Sequence, residues 1–191
     1  MELLESRTKS FLVMEAVNGK SIGQRMRKGE RFSSREILKT GIALSGILCY
    51  LHAQNPPVFY RDLKPDNIYL YPDQNALRAC LADFNVSRAV QIQKGMRGLT
   101  QISYSGTAAY ASPYLKTHNV ADLPREIALR LDTYSLGVIC YTILNNQKIS
   151  VGLDGRLKEP QYSPSRELSK LVIEMMEPDP HRALSMEEVV R

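Results

Sequence analysis

The sequence predicts a mainly α-helical domain carrying a small β-hairpin region, and three observations support this. Ser33 followed three residues later by Glu36 is a capping-box signature, and it opens an apolar-periodic run through Ile37, Leu38, Ile42, Leu44, Leu48 and Leu51. A second apolar run, Leu136 to Leu144, adds to the material for a core. Two short apolar segments, Ile68 to Tyr71 and Leu77 to Leu81, flank Pro72-Asp73-Gln74-Asn75, a favourable turn, and together read as a hairpin. With 191 residues, 43% of them hydrophobic, the chain has the size and composition of one globular domain.

In chain order, Phe11 to Val17 is an apolar strand-like run ended by the turn signal Asn18-Gly19, and by itself it reads as an edge strand. The long helix ends before Pro56-Pro57; His52, near its end, is assigned a capping or packing role. His52, His118 and His181 are scattered, so none is given a chemical role. Tyr60-Arg61-Asp62-Leu63-Lys64-Pro65-Asp66-Asn67 is too polar for a buried strand, yet Ile68-Tyr69-Leu70 follows at once, which makes it a loop held by a strand. The second hairpin segment delivers Asp83 at its exit, so two acidic groups and an amide can converge; Asp and Asn oxygens facing one another suit a hard divalent cation such as magnesium. Val86 to Ile102 is polar, with Gly95 and Gly98, and reads as a long functional or disordered loop.

Bulk properties exclude several classes. The net charge of +5 comes with no Lys/Arg-rich tract and no zinc-type Cys or His spacing, so a mildly basic surface is expected and nucleic acid is not. Cys49, Cys80 and Cys140 are odd in number, widely spaced and set in apolar runs, which favours buried free thiols in a reducing compartment and a cytoplasmic location. The longest apolar runs, Ile42 to Leu51 and Leu136 to Leu144, fall short of the roughly twenty residues of a membrane span, and no signal-peptide core is present.

The loop from Tyr60 to Asn67 resembles the catalytic loop H-R-D-L-x-x-x-N of eukaryotic-like serine/threonine protein kinases, with Tyr60 in the His position, and Asp83-Phe84-Asn85 resembles their D-F-G. The run from His52 to Pro65 looks most like the bacterial members of that family. The resemblance implies a kinase large lobe over residues 18–191, with catalytic loop 60–67 and activation segment 83–114, and a remnant of small-lobe strands and hinge over 1–17. It makes Asp62 the base, gives Lys64 the transferring phosphate, and gives magnesium to Asn67 and Asp83. It assigns adenine to Met14 as gatekeeper, to the backbone from Glu15 to Val17, and to Tyr69, whose ring could equally be ordinary core. Gly106 to Tyr114 is similar to G-T-P-x-Y-M-A-P-E, so Thr107 would bond Asp62 and Lys64, and serine or threonine would be the acceptor. Arg61 would pair with a phosphorylated activation loop, for which Thr100, Ser103 and Ser105 are candidates; each of the three could also be a solvated loop residue. Leu131 to Val138 resembles D-x-W-S-L-G-V: Asp132 would tie down the catalytic-loop backbone, cap a helix, or do both. Pro178 to Arg182 resembles the D-P-x-x-R turn between the last two helices, 166–176 and 186–190.

The sequence departs from the family pattern in ways that matter. It holds no G-x-G-x-x-G stretch and no V-A-I-K lysine, so the groups that cover ATP are expected from a small-lobe segment or a partner chain. Asn85 stands for the Gly of D-F-G, and Tyr114 stands for the Glu of A-P-E, which leaves Arg182 without its carboxylate. The resemblance therefore implies transfer of the γ-phosphate of magnesium ATP to protein hydroxyls, with a pseudokinase-like interaction module as the alternative.

Overall fold

The computed structural model describes residues 2–5, 10–13, 16–73, 76–83, 88–89, 109–116, 118, 123–145 and 157–191. Strands β1 (Glu2–Glu5) and β2 (Ser10–Val13) pair antiparallel with Leu3 opposite Leu12. The expected strand over 11–17 is thus shorter, and its partner β1 was not foreseen. Helix α1 (Ile22–Arg27), also unforeseen, starts at a reciprocal cap: Ser21 Oγ accepts from Gln24 N–H at 3.1 Å and Gln24 Oε1 accepts from Ser21 N–H at 3.0 Å. Helix α2 (Ser34–His52) has the expected capping box from Ser33 and Glu36 and buries the stripe Ile37, Leu44 and Leu48.

Strand β3 (Val58–Phe59) precedes the catalytic-loop candidate, which closes in a 3₁₀ turn at Pro65–Asn67. Strands β4 (Ile68–Asp73) and β5 (Ala76–Leu81) form the hairpin, with Ile68 opposite Leu81. Pro72 and Asp73 lie in β4 rather than in the turn; a two-stranded hairpin tolerates Pro because it has no central strand. Within the segment expected to be all loop, β6 (Arg88–Ala89) pairs antiparallel with β3.

Helix α3 (Arg125–Leu144) is the axis of the core. Leu136, Val138, Ile139, Tyr141 and Leu144 are fully buried and lie in the core with α2 and α4 (Arg166–Met175). By length and composition α3 could cross a membrane, so the apolar run is longer than expected; here the other helices cover it. The helix begins at Arg125 behind an N-cap at Pro124, so Asp132 lies inside it and cannot be a cap. Helix α5 (Met186–Val189) closes the chain with a third capping box, from Ser185 and Glu188.

The three cysteines are free thiols, but only Cys140 is fully buried, while Cys49 and Cys80 are half-buried. Burial pushes the Cys140 thiol up to about 12. At pH 8 it is protonated and a poor nucleophile, so iodoacetamide should leave Cys140 unmodified in the folded chain and label it after denaturation; rapid native labelling would contradict the packing.

Gly137 sets how closely α4 approaches α3: a Cβ there would stand 2.8 Å from Met175 Cβ and 3.0 Å from Met176 Cγ. Gly137→Ala should destabilise the fold by about 1–3 kcal/mol, read as a lower denaturant midpoint. An unchanged midpoint would mean the two helices are not in that contact.

Candidate active site

The loop from Tyr60 to Asn67 is strained where it begins. Arg61 has φ 69°, and Asp62 N–H donates to the Tyr60 carbonyl at 3.0 Å, which makes a three-residue turn that costs roughly 1–3 kcal/mol in a non-glycine chain. Asp132, 1% exposed on α3, holds it. Its Oδ2 accepts from Tyr60 N–H at 2.8 Å, and its Oδ1 accepts from Arg61 N–H at 3.0 Å. His52 Nε2 lies 3.0 Å from the same Oδ2; since a carboxylate only accepts, that nitrogen carries the proton. Sequence reading did not connect His52 with Asp132, and nothing local to either residue signals a contact across eighty positions.

The side chain of Tyr60 fills the core beneath the loop, and its hydroxyl donates to the Ala82 carbonyl. Burial holds this phenol well above its usual range; the Asn67 amide opposes that, while the carboxylates of Asp62, Asp83 and Asp132 add to it. Ala82 N–H donates to the Asn67 carbonyl at 2.9 Å, so the exit of β5 and the entry to β4 are tied together. Asp83 follows directly, exposed, with φ 61°.

Asp62 is 5% exposed, and its Oδ2 receives Lys64 Nζ at 2.6 Å and Asn67 Nδ2 at 3.0 Å. The same Asn67 nitrogen reaches the Asp62 carbonyl at 3.1 Å. With Asn67 Nδ2 on Asp62, the amide oxygen of Asn67 is a hard donor that could meet a cation. That oxygen and the Asp83 carboxylate fit magnesium, which takes one or two protein oxygens and fills its remaining positions with phosphate and water. Among the described residues no cluster of three His, Cys, Asp or Glu suited to a metal occurs.

The structure therefore brings together Asp62, Lys64, Asn67 and Asp132, with Asp83 one residue beyond Ala82. Arg61 is half-buried, its guanidinium carbon 6.0 Å from the centre of the Phe59 ring. Tyr69 is half-buried on β4 opposite Cys80 and bridges to Ser21; Val17 is half-buried outside any regular element. Met14, Glu15, Thr100, Ser103, Ser105 and Thr107 lie outside the described residues. Arg182 is exposed. Tyr114 instead stacks on His118, with ring centres 3.9 Å apart, and meets His181 edge-on at 6.3 Å.

Asp132→Ala would leave two backbone amides and the His52 ring buried without their acceptor. The loss should be about 2–6 kcal/mol of unfolding free energy by denaturant titration, and a value near zero would show that the strained turn stands without the clamp.

The family profile for the protein kinase domain matches residues 1–191. A human SNF-related serine/threonine-protein kinase is 26% identical over 98% of the chain, a match covering 24% of the human protein. CBL-interacting serine/threonine-protein kinase 20 of Arabidopsis thaliana is 28% identical over 99% of the chain, covering 42% of its own length. Receptor-interacting serine/threonine-protein kinase 3 of Rattus norvegicus reaches 36% over 54% of the chain, covering 20% of its own length. The chain thus spans less than half the length of these relatives. A motif-bearing loop of this geometry and a profile match along the whole chain give one conclusion: the chain belongs to the protein kinase domain family.

Proposed function

We propose that the chain forms the large catalytic lobe of a serine/threonine protein kinase that moves the γ-phosphate of ATP to a protein hydroxyl. The observation that carries this is the Asp62 carboxylate, with Oδ2 held by Lys64 and Asn67 on a loop anchored to the core helix. Bound magnesium ATP would supply the phosphoryl group and screen its charge. Asp62 orients the acceptor hydroxyl and accepts its proton. Lys64 keeps a positive charge beside that carboxylate and beside the phosphate being transferred, and Asn67 and Asp83 present oxygens to the metal. Asp132 positions the loop and does not touch substrate.

In the same reading Met14, Glu15, Val17 and Tyr69 receive adenine, Thr107 bonds Asp62 and Lys64, and Arg61 meets a phosphate on Thr100, Ser103 or Ser105. The cover over the nucleotide phosphates comes from residues other than 1–191, in a small-lobe segment or a partner chain. A cytoplasmic setting and a bacterial-type origin complete the proposal, supported by the thiols and by the run from His52 to Pro65. A pseudokinase-like interaction module is the second reading.

Phosphoryl transfer to a protein substrate separates the two. Asp62→Asn should lower the rate roughly 10²- to 10⁴-fold while nucleotide still raises the melting temperature; an unchanged rate would remove Asp62 as base. Asp83→Ala should abolish the magnesium dependence of nucleotide binding, and its persistence would place the metal elsewhere. No transfer by the wild-type chain, with or without a small-lobe partner, would favour the interaction module.

A further inference from the structure

Residues 20–36 carry six basic side chains, Lys20, Arg25, Arg27, Lys28, Arg31 and Arg35, against two acidic ones, Glu30 and Glu36. Both acids are already met: Glu30 pairs with Lys20 and with Arg25, each at 3.0 Å, and Glu36 pairs with Arg25 at 2.9 Å. Arg27, Lys28, Arg31 and Arg35 are exposed. Of these, Arg27 touches the catalytic loop. Its Nη1 donates to Asp66 Oδ1 at 2.6 Å, and Asp66 immediately precedes Asn67.

The contact is built into the fold. A Cβ at Gly23 would lie 2.6 Å from Asp66 Oδ1 and 3.0 Å from its backbone nitrogen, so α1 rests directly on the loop because residue 23 has no side chain. Near the end of the activation segment, the Tyr110 phenol is raised by burial and, to a lesser degree, by the Asp66 carboxylate. Arg27 therefore stands at the edge of the loop that holds Asp62.

Resting on the kinase reading above, we infer that Arg27 selects protein substrates that carry an aspartate or glutamate within a few residues of the acceptor hydroxyl. Arg27 is 61% exposed, and a guanidinium has five donors in a fixed fork, so one bond to Asp66 leaves it able to bind a second carboxylate. A basic residue at the same place would have to displace Arg27 from Asp66 and then face it. The pair thus attracts one sign of charge and repels the other.

The test uses the full chain and fluorescent peptides in which one Asp or one Arg is scanned over three positions on each side of a serine. Binding is read by anisotropy and phosphoryl transfer in parallel. At one or more positions the Asp peptide should bind roughly two- to fivefold more tightly than its Arg counterpart, with the gap closing as salt rises. Arg27→Glu should reverse the order, and Asp66→Asn should widen the gap. Equal binding at every position, no binding by any peptide, or an order unchanged in Arg27→Glu would overturn the inference. Charge selection without transfer would remove the enzyme reading and keep Arg27 as a docking residue, whereas transfer without charge selection would remove Arg27 alone.

Discussion

One carboxylate holds the working part of this molecule in place. Asp132 sits in the middle of the core helix, and its two oxygens accept the backbone N–H groups of Tyr60 and Arg61 and the ring of His52. Those amides belong to a turn that a non-glycine residue adopts only at a cost, so the turn persists because a buried acceptor waits for it. Such an acceptor is itself expensive to bury, and three donors offset that cost. The core and the loop are therefore interdependent: α3 needs the loop amides to bury Asp132, and the loop needs Asp132 to keep its shape.

The positions of the chemical groups follow from that anchor. With Tyr60 pinned, its hydroxyl reaches Ala82, which draws the exit of β5, and with it Asp83, against the loop. With Asp62 fixed just beyond the turn, Lys64 and Asn67 close on a single oxygen. Helix α1 presses on the outer side of the loop through Gly23 and reaches Asp66 with Arg27. The site is thus a short stretch of backbone gripped from the core below and from a helix beside it, which is the kind of support a proton acceptor needs to meet a hydroxyl in one orientation.

Much of this was legible in the sequence wherever the determinant is local. The capping box at Ser33 and Glu36 fixes the start of α2, and the alternation of apolar segments around a turn yields the β4–β5 hairpin. The spacing of Asp62, Lys64 and Asn67 is short enough for one loop to deliver all three. What was not legible depends on distant partners. His52 looked like an end-of-helix residue because Asp132 lies far along the chain, and α3 looked short because Arg130 and Asp132 interrupt its apolar pattern, although each finds a buried partner. Helix α1 was missed for its brevity and its basic face, and β1 because its pairing with β2 is not written in either strand. With Tyr114 in place of a carboxylate the sequence implies the loss of an ion pair, whereas the stack on His118 depends on how the fold sets the two rings face to face.

The most direct test of the Asp132 anchor is amide hydrogen exchange at Tyr60 and Arg61 in the isotope-labelled chain. These two N–H groups lie in an irregular loop, and without the clamp they would exchange through local opening far more easily than the core. The account predicts protection comparable to that of the buried amides of α3 around Ile139, and exchange at the rate of an open loop would contradict it.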